Sequence, residues 1–233
     1  MTGHGNEETL RTIRLSGTEL HYLDVGTGAP VLLVHGNGES HAIFYGMIDR
    51  LAAAGYRVLA PDSRGQGANR PVSEYHYADM AGDMFELITA LELVRPAYYG
   101  YSDGGIIGLM LAAAHPDLLS LMAVSGTNMR YGGVREEFIR ECEDILKQRD
   151  DPLIRLMMTE PDIDPESLRD VKIPVLVTAG ENDLILPEET ERLCRALPNA
   201  EKRIIPGADH GSYVMGSDVM AGLLIDFLKR NGK

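Results

Sequence analysis

The sequence predicts an α/β fold, a mostly parallel eight-stranded sheet with helices on both faces and one short helical insertion. Three observations carry that prediction. Short runs of β-type patterning alternate along the chain with stretches of helical periodicity, the order that yields parallel strands joined by right-handed crossovers. The later runs are continuous apolar stretches, as strands covered on both faces are. A length of 233 residues, 44% hydrophobic and 24% charged, suits one such domain, since single α/β domains commonly run to about 200–250 residues.

Residues 12–15 and 19–24 alternate in polarity about Ser16, Gly17 and Thr18, which predicts an antiparallel hairpin at a sheet edge. Residues 31–34 form the third strand, and a helix follows over 43–54. The fourth strand, 57–60, leads to a helix over 77–93, where Ala81, Met84, Phe85, Ile88 and Leu91 share one face at helical spacing. The fifth, 97–101, runs straight into a helix over 104–114, and 121–125 is the sixth. The last two strands, 175–178 and 202–205, alternate with helices over 188–196 and 214–229. Between the sixth and seventh strands, 129–172 contains no strand, yet Phe138, Ile139, Cys142, Ile145 and Leu146 make an apolar helical stripe among charges. Long structureless loops are uncommon, so these 44 residues are expected to form a small helical lid on a core of 1–128 and 173–233.

Composition excludes several function classes. Lys and Arg number 22 against 35 Asp and Glu, a net charge of −13 with no basic cluster, so neither nucleic acid nor an anionic membrane is an expected partner. The longest apolar stretch, around residues 106–114, falls well short of the roughly 20 residues a membrane span needs. Residues 1–10 lack the basic and apolar regions of a secretory signal, so the chain is expected in the cytoplasm. Cys142 and Cys194 occupy apolar positions of helical patterns and are expected as buried free thiols.

The chemistry concentrates in loops that follow strands, where open α/β sheets bind ligands. Gly100-Tyr101-Ser102-Asp103-Gly104 lies between the fifth strand and its helix. Such a sharp turn holds its middle serine in a strained conformation with the hydroxyl projecting, and glycines on either side let two backbones pass closely. A plain glycine turn that happens to hold a serine is the alternative, and the strand–turn–helix context favours a nucleophile. A serine hydroxyl needs a histidine base, and the histidine needs a carboxylate. Asp183 follows the seventh strand and His210 the eighth, with Glu181 as the second choice of acid. His35 reads as a loop-shaping histidine bonded locally, and Asp209, adjacent to His210, as a poorer partner than Asp183. An anion hole needs two backbone N–H groups. The residue after the serine, Asp103, supplies one, and the loop His35-Gly36-Asn37-Gly38 supplies the other, from Asn37 or alternatively Gly38.

The His35-Gly36-Asn37-Gly38 loop, the turn from Pro61 through Asp62, Ser63 and Arg64 to Gly67, the serine turn, the loop Gly180-Glu181-Asn182-Asp183 and the terminal Asp209-His210-Gly211 together resemble the α/β-hydrolase superfamily. They occur in that family's order over most of the chain. The resemblance implies the α/β-hydrolase fold and a lipase- or esterase-like serine hydrolase without metal or organic cofactor. In it Ser102 matches the nucleophile, Asp183 the acid and His210 the base, while Asp62 and Arg64 are architectural. Serine at the turn separates the chain from relatives with an aspartate nucleophile, the haloalkane dehalogenases and epoxide hydrolases.

The resulting expectation is hydrolysis of a carboxylic ester through an acyl-enzyme, with a small-molecule acyl substrate as the partner. Thioesterase and carbon–carbon bond hydrolase activities use the same residues, hydroxynitrile lyase activity is a more distant fit, and a non-enzymatic ligand receptor is the alternative from another class. Tyr101 beside the serine, Met157 and Met158 in the insertion, and Ile185 in the acid loop are the candidate pocket residues. The short insertion predicts short acyl groups.

Overall fold

The computed structural model describes residues 10–232 of the chain. The reading of residues 1–10 as lacking a signal falls almost wholly on 1–9, which lie outside the described residues. Eight strands form one sheet: β1 Arg11–Arg14, β2 Glu19–Gly26, β3 Ala29–Val34, β4 Tyr56–Pro61, β5 Ala97–Tyr101, β6 Met122–Ser125, β7 Val175–Gly180 and β8 Ala200–Ile205. Their order is β1-β2-β4-β3-β5-β6-β7-β8, with β1 and β2 antiparallel and all pairs from β4 onward parallel. This is the α/β-hydrolase fold that the sequence implied.

Five helices cover the sheet. On one face α1 Tyr45–Ala53 and α7 Asp218–Asn231 pack against Leu33, Val58 and Tyr99. On the other, α2 Tyr77–Ala90, α3 Asp103–Ala114 and α6 Pro187–Ala196 pack against Leu32, Val34 and Tyr98. Successive strand residues point to opposite faces, so β3 and β5 feed both cores and are buried throughout their inner length. The insertion carries α4 Glu136–Gln148 and α5 Pro152–Thr159, then a short 3-10 turn at Pro165–Leu168. No helix among the described residues is long and apolar enough to cross a membrane.

Three local expectations are revised. The helix predicted from 214 starts at Asp218, because Gly216 takes a positive φ of 62° and Ser217 Oγ caps the new helix by accepting the Val219 N–H at 3.2 Å. The helix predicted to 93 ends at Ala90, where the chain turns through Glu92 at φ 52°. β8 is largely exposed rather than buried on both faces, because it is the sheet's far edge.

One feature of the topology positions the site. From β3 the chain crosses to β4 on one side, and from β5 it crosses to β6 on the other, so the loops leaving β3 and β5 diverge. A crevice opens where such loops part at the carboxyl ends of neighbouring strands. Val34 pairs with Gly100 in the sheet, so the loop beginning at His35 and the turn at Ser102 start side by side.

Candidate active site

Ser102 sits directly between β5 and α3 with φ 53° and ψ −116°, a conformation that L-residues rarely adopt. The surroundings fix it. Its N–H donates to the Ser125 carbonyl at 2.8 Å, and its own carbonyl accepts from Gly105 and Ile106. A Cβ at Gly100 would overlap the Gly104 carbonyl, and one at Gly104 would overlap the Val34 carbonyl. Glycine is therefore required at both positions for the strand and helix to approach.

The loop after β8 brings His210 to this serine, with Nε2 3.1 Å from Ser102 Oγ. Its Nδ1 lies 2.6 Å from Asp183 Oδ1. This geometry assigns the tautomer: Nδ1–H donates to the carboxylate and Nε2 is left to accept the serine proton. Asp183 is held in turn by the Gly180 N–H on Oδ2 and the Ile185 N–H on Oδ1, both at 3.0 Å. Burial is the largest single influence on the Asp183 carboxyl and pushes its pKa up. The hydrogen bond and charge of His210, with the two amides, outweigh burial and hold the pKa below its ordinary value. Glu181 instead accepts the Gly207 N–H, and Asp209 accepts the N–H groups of Gly211 and Ser212. His35 donates from Nδ1 to the Gly36 carbonyl and accepts the Ser63 N–H on Nε2, so both its nitrogens are spent in the loop. Asp62 accepts the N–H groups of His41 and Ala68, and Arg64 pairs with Asp79 and Asp83.

Beside the serine, the amides of Asn37 and Asp103 have no hydrogen-bond partner among the described residues. Their neighbours are occupied: the Gly36 N–H donates to Glu39 Oε2 at 3.0 Å, and the Gly38 N–H donates to Gln66 Oε1 at 2.7 Å. Of the two donors left open by the sequence for this loop, Asn37 is the free one. Its side chain donates from Nδ2 to Asp103 Oδ2 at 2.9 Å, and Tyr77 OH donates to Asp103 Oδ1 at 2.8 Å. Burial pushes the Asp103 carboxyl up to about 6, against the opposing pull of those two bonds and the charge of His210.

Ser102 and His210 open into a cavity of about 280 Å³. Tyr101, Met157, Met158 and Ile185 all line it, with Ile154 and Phe138 of the insertion. The ends of α5 are fastened to the core: Asn37 Nδ2 reaches the Leu153 carbonyl at 3.3 Å, and Glu160 accepts from the Tyr77 N–H at 3.1 Å while pairing with His76. Among the described lining residues Glu39, Asp103 and Glu160 carry carboxyls, and none is Lys or Arg. Burial also raises the pKa of Glu39. The sequence reading missed Glu39, Tyr77 and Glu160, whose approach depends on tertiary packing. It also missed Gly126, for which a signal existed, a glycine directly after β6. A Cβ there would lie 2.6 Å from His210 Cε1. No group of three or more His, Cys, Asp or Glu side chains among the described residues is arranged to hold a metal ion.

Comparison with known proteins bears on the family and the fold. A family model for the alpha/beta hydrolase fold matches residues 29–146. A serine hydrolase of Homo sapiens is 28% identical, aligned over 97% of this chain and 88% of its own length. A 2-hydroxy-6-oxo-6-(2'-aminophenyl)hexa-2,4-dienoic acid hydrolase of Metapseudomonas resinovorans is 25% identical over 94% of this chain and 91% of its own. Among solved structures, an esterase of Exiguobacterium antarcticum superposes with a TM-score of 0.83 at 20% identity, covering 95% of this chain and 100% of that one, a likeness of fold.

Proposed function

The chain belongs to the alpha/beta hydrolase fold family, and from that premise we propose that it is a serine hydrolase that cleaves short-chain carboxylic esters. The observation that carries this reading is the continuous line from Asp183 through His210 to Ser102 at 2.6 and 3.1 Å. Ser102 Oγ attacks the ester carbonyl as His210 Nε2 takes its proton, and Asp183 stabilises the resulting imidazolium. The N–H groups of Asn37 and Asp103 receive the negative charge that develops on the carbonyl oxygen. His210 then protonates the departing alkoxide, which leaves the acyl group on Ser102. Water, deprotonated by His210, attacks that acyl-enzyme and releases the acid.

Cavity size and charge support the substrate class. About 280 Å³ lies just below the usual 300–1,000 Å³ range of ligand pockets, and the insertion, residues 129–172, acts as its roof, so short acyl groups fit. The substrate named for the Metapseudomonas resinovorans relative is a dienoic acid, an anion at neutral pH. A cavity lined by three carboxyls without Lys or Arg disfavours an anion, which favours ester cleavage over that carbon–carbon reaction. The test is turnover of p-nitrophenyl esters from C2 to C12 by the wild-type chain and by Ser102→Ala. Multiple turnovers, highest at C2 to C6 and lost in the variant, support the proposal. A single stoichiometric binding event without turnover favours a ligand receptor.

A further inference from the structure

The two amides proposed to stabilise the oxyanion belong to residues whose side chains are bonded to each other. We infer that the Asn37–Asp103 side-chain bond, braced by Tyr77, is a clamp that sets the separation and direction of the two oxyanion donors. The inference rests on the serine hydrolase reading of the site and adds positioning roles for three side chains within it. Asn37 lies in the loop after β3 and Asp103 at the first position of α3, 66 residues apart in sequence. The sheet register that pairs Val34 with Gly100 brings the two loops side by side, and contacts between the loops themselves must set the final placement of the two amides. The 2.9 Å bond from Asn37 Nδ2 to Asp103 Oδ2 joins them across the crevice. Tyr77 OH, on α2, holds the other oxygen of the same carboxyl at 2.8 Å and so prevents it from swinging away. Asp103 is only 3% exposed, so the position of its carboxyl is set by these partners rather than by solvent.

The flanking bonds sharpen this arrangement. Glu39 takes the Gly36 N–H and Gln66 the Gly38 N–H, so the loop is held on both sides of the one amide left free. A buried ionisable carboxyl beside a forming oxyanion is electrostatically unfavourable, and an apolar residue at 103 would avoid it. The carboxyl has a geometric use that an apolar residue lacks, since it accepts from two different elements at once.

The experiment is a double-mutant cycle on Asn37→Ala and Asp103→Ala, with Asp103→Asn as the conservative variant, read by kcat and KM on p-nitrophenyl butyrate. Affinity for a short-chain boronic acid, whose tetrahedral adduct on the serine places an oxygen in the anion hole, is read in parallel. Removing a whole oxyanion donor lowers kcat about 10²–10³-fold, so a displaced donor is expected to cost about tenfold to a hundredfold. Each alanine variant should lower kcat to that extent with KM within about twofold, and boronate affinity should fall in step. The double variant should be no worse than about twofold below either single one, because the second change removes a bond already broken. Asp103→Asn keeps an acceptor for Asn37 and a partner for Tyr77, and should stay within about threefold of wild type. Strictly additive losses, or losses confined to KM, overturn the clamp. Where Asp103→Ala does not fold, Asn37→Ala decides alone: unchanged kcat and boronate affinity overturn the inference. A wild-type chain that neither turns over ester nor binds boronate refutes the serine hydrolase reading beneath it, an outcome distinct from normal turnover with indifferent variants.

Discussion

Replacing Asp103 by Asn should stabilise the protein at neutral pH. A carboxyl held at about 6 against its ordinary 3.8 is ionised in the folded state at a cost. At about 1.4 kcal/mol for each tenfold change in acidity, full ionisation costs about 3 kcal/mol relative to the unfolded chain. The pH window follows from the direction of that shift. Between roughly 4 and 6 the folded state binds more protons at this site than the unfolded state, so this site's contribution to stability falls as pH rises through the window and is constant above it. Asparagine carries no such dependence and can keep the two bonds, accepting from Asn37 and donating to Tyr77. The assay is thermal unfolding of both proteins at pH 4 and pH 7.5, where only the difference between them is read. For a chain of this size 1 kcal/mol moves Tm by about 2–4 °C, so the variant should melt about 6–12 °C above wild type at pH 7.5 and close to it at pH 4. A difference of the same size at both pH values, or a less stable variant at pH 7.5, refutes the argument.

Other changes address the chemistry. Asp183→Asn should lower kcat by up to about 10⁴, the loss known for a triad that keeps its shape but loses its charge, whereas Glu181→Gln, whose parent side chain holds only the Gly207 amide, should be mild; a reversal of the two effects in steady-state kinetics would make Glu181 the acid. Gly126→Ala should lower stability, because φ is 56° there, and should also lower kcat in the fraction that folds, because the new Cβ meets the His210 ring; unchanged kcat would show that the ring has room to move. Among esters of equal chain length, one with a carboxylate on its acyl end should show the lowest kcat/KM, given the three carboxyls in the cavity, and a preference for that ester in a competition assay contradicts the charge argument. No jump in rate is expected above the solubility limit of a long-chain ester, because the insertion is too small to uncover a large lipid-binding face, and interfacial activation on emulsified triglyceride would point to a lipase.

All eight strands were legible because each is a short β-type run bounded by turn residues, and the parallel order followed from their alternation with helices. Ser102, Asp183 and His210 could be selected because each lies in a loop that directly follows a strand, so topology alone brings those loops to one edge of the sheet. The clamp was not legible. Asn37, Tyr77 and Asp103 meet from three separate elements, and nothing in the residue types near Tyr77 marks its hydroxyl as a partner for a carboxyl 26 residues away. Helix boundaries at Ala90 and Asp218 were misplaced because apolar residues continue beyond the turn at Glu92 and also lie ahead of the turn at Gly216. In both cases apolar patterning extends across a turn at which the backbone is not helical.

The most direct test of the account is covalent capture of the nucleophile. The intact wild-type protein, treated with a fluorophosphonate and analysed by mass spectrometry, should gain one phosphonyl group that maps to Ser102, and Ser102→Ala should gain none. Labelling that persists in Ser102→Ala, or that maps to another residue, contradicts the claim that this serine carries the reaction.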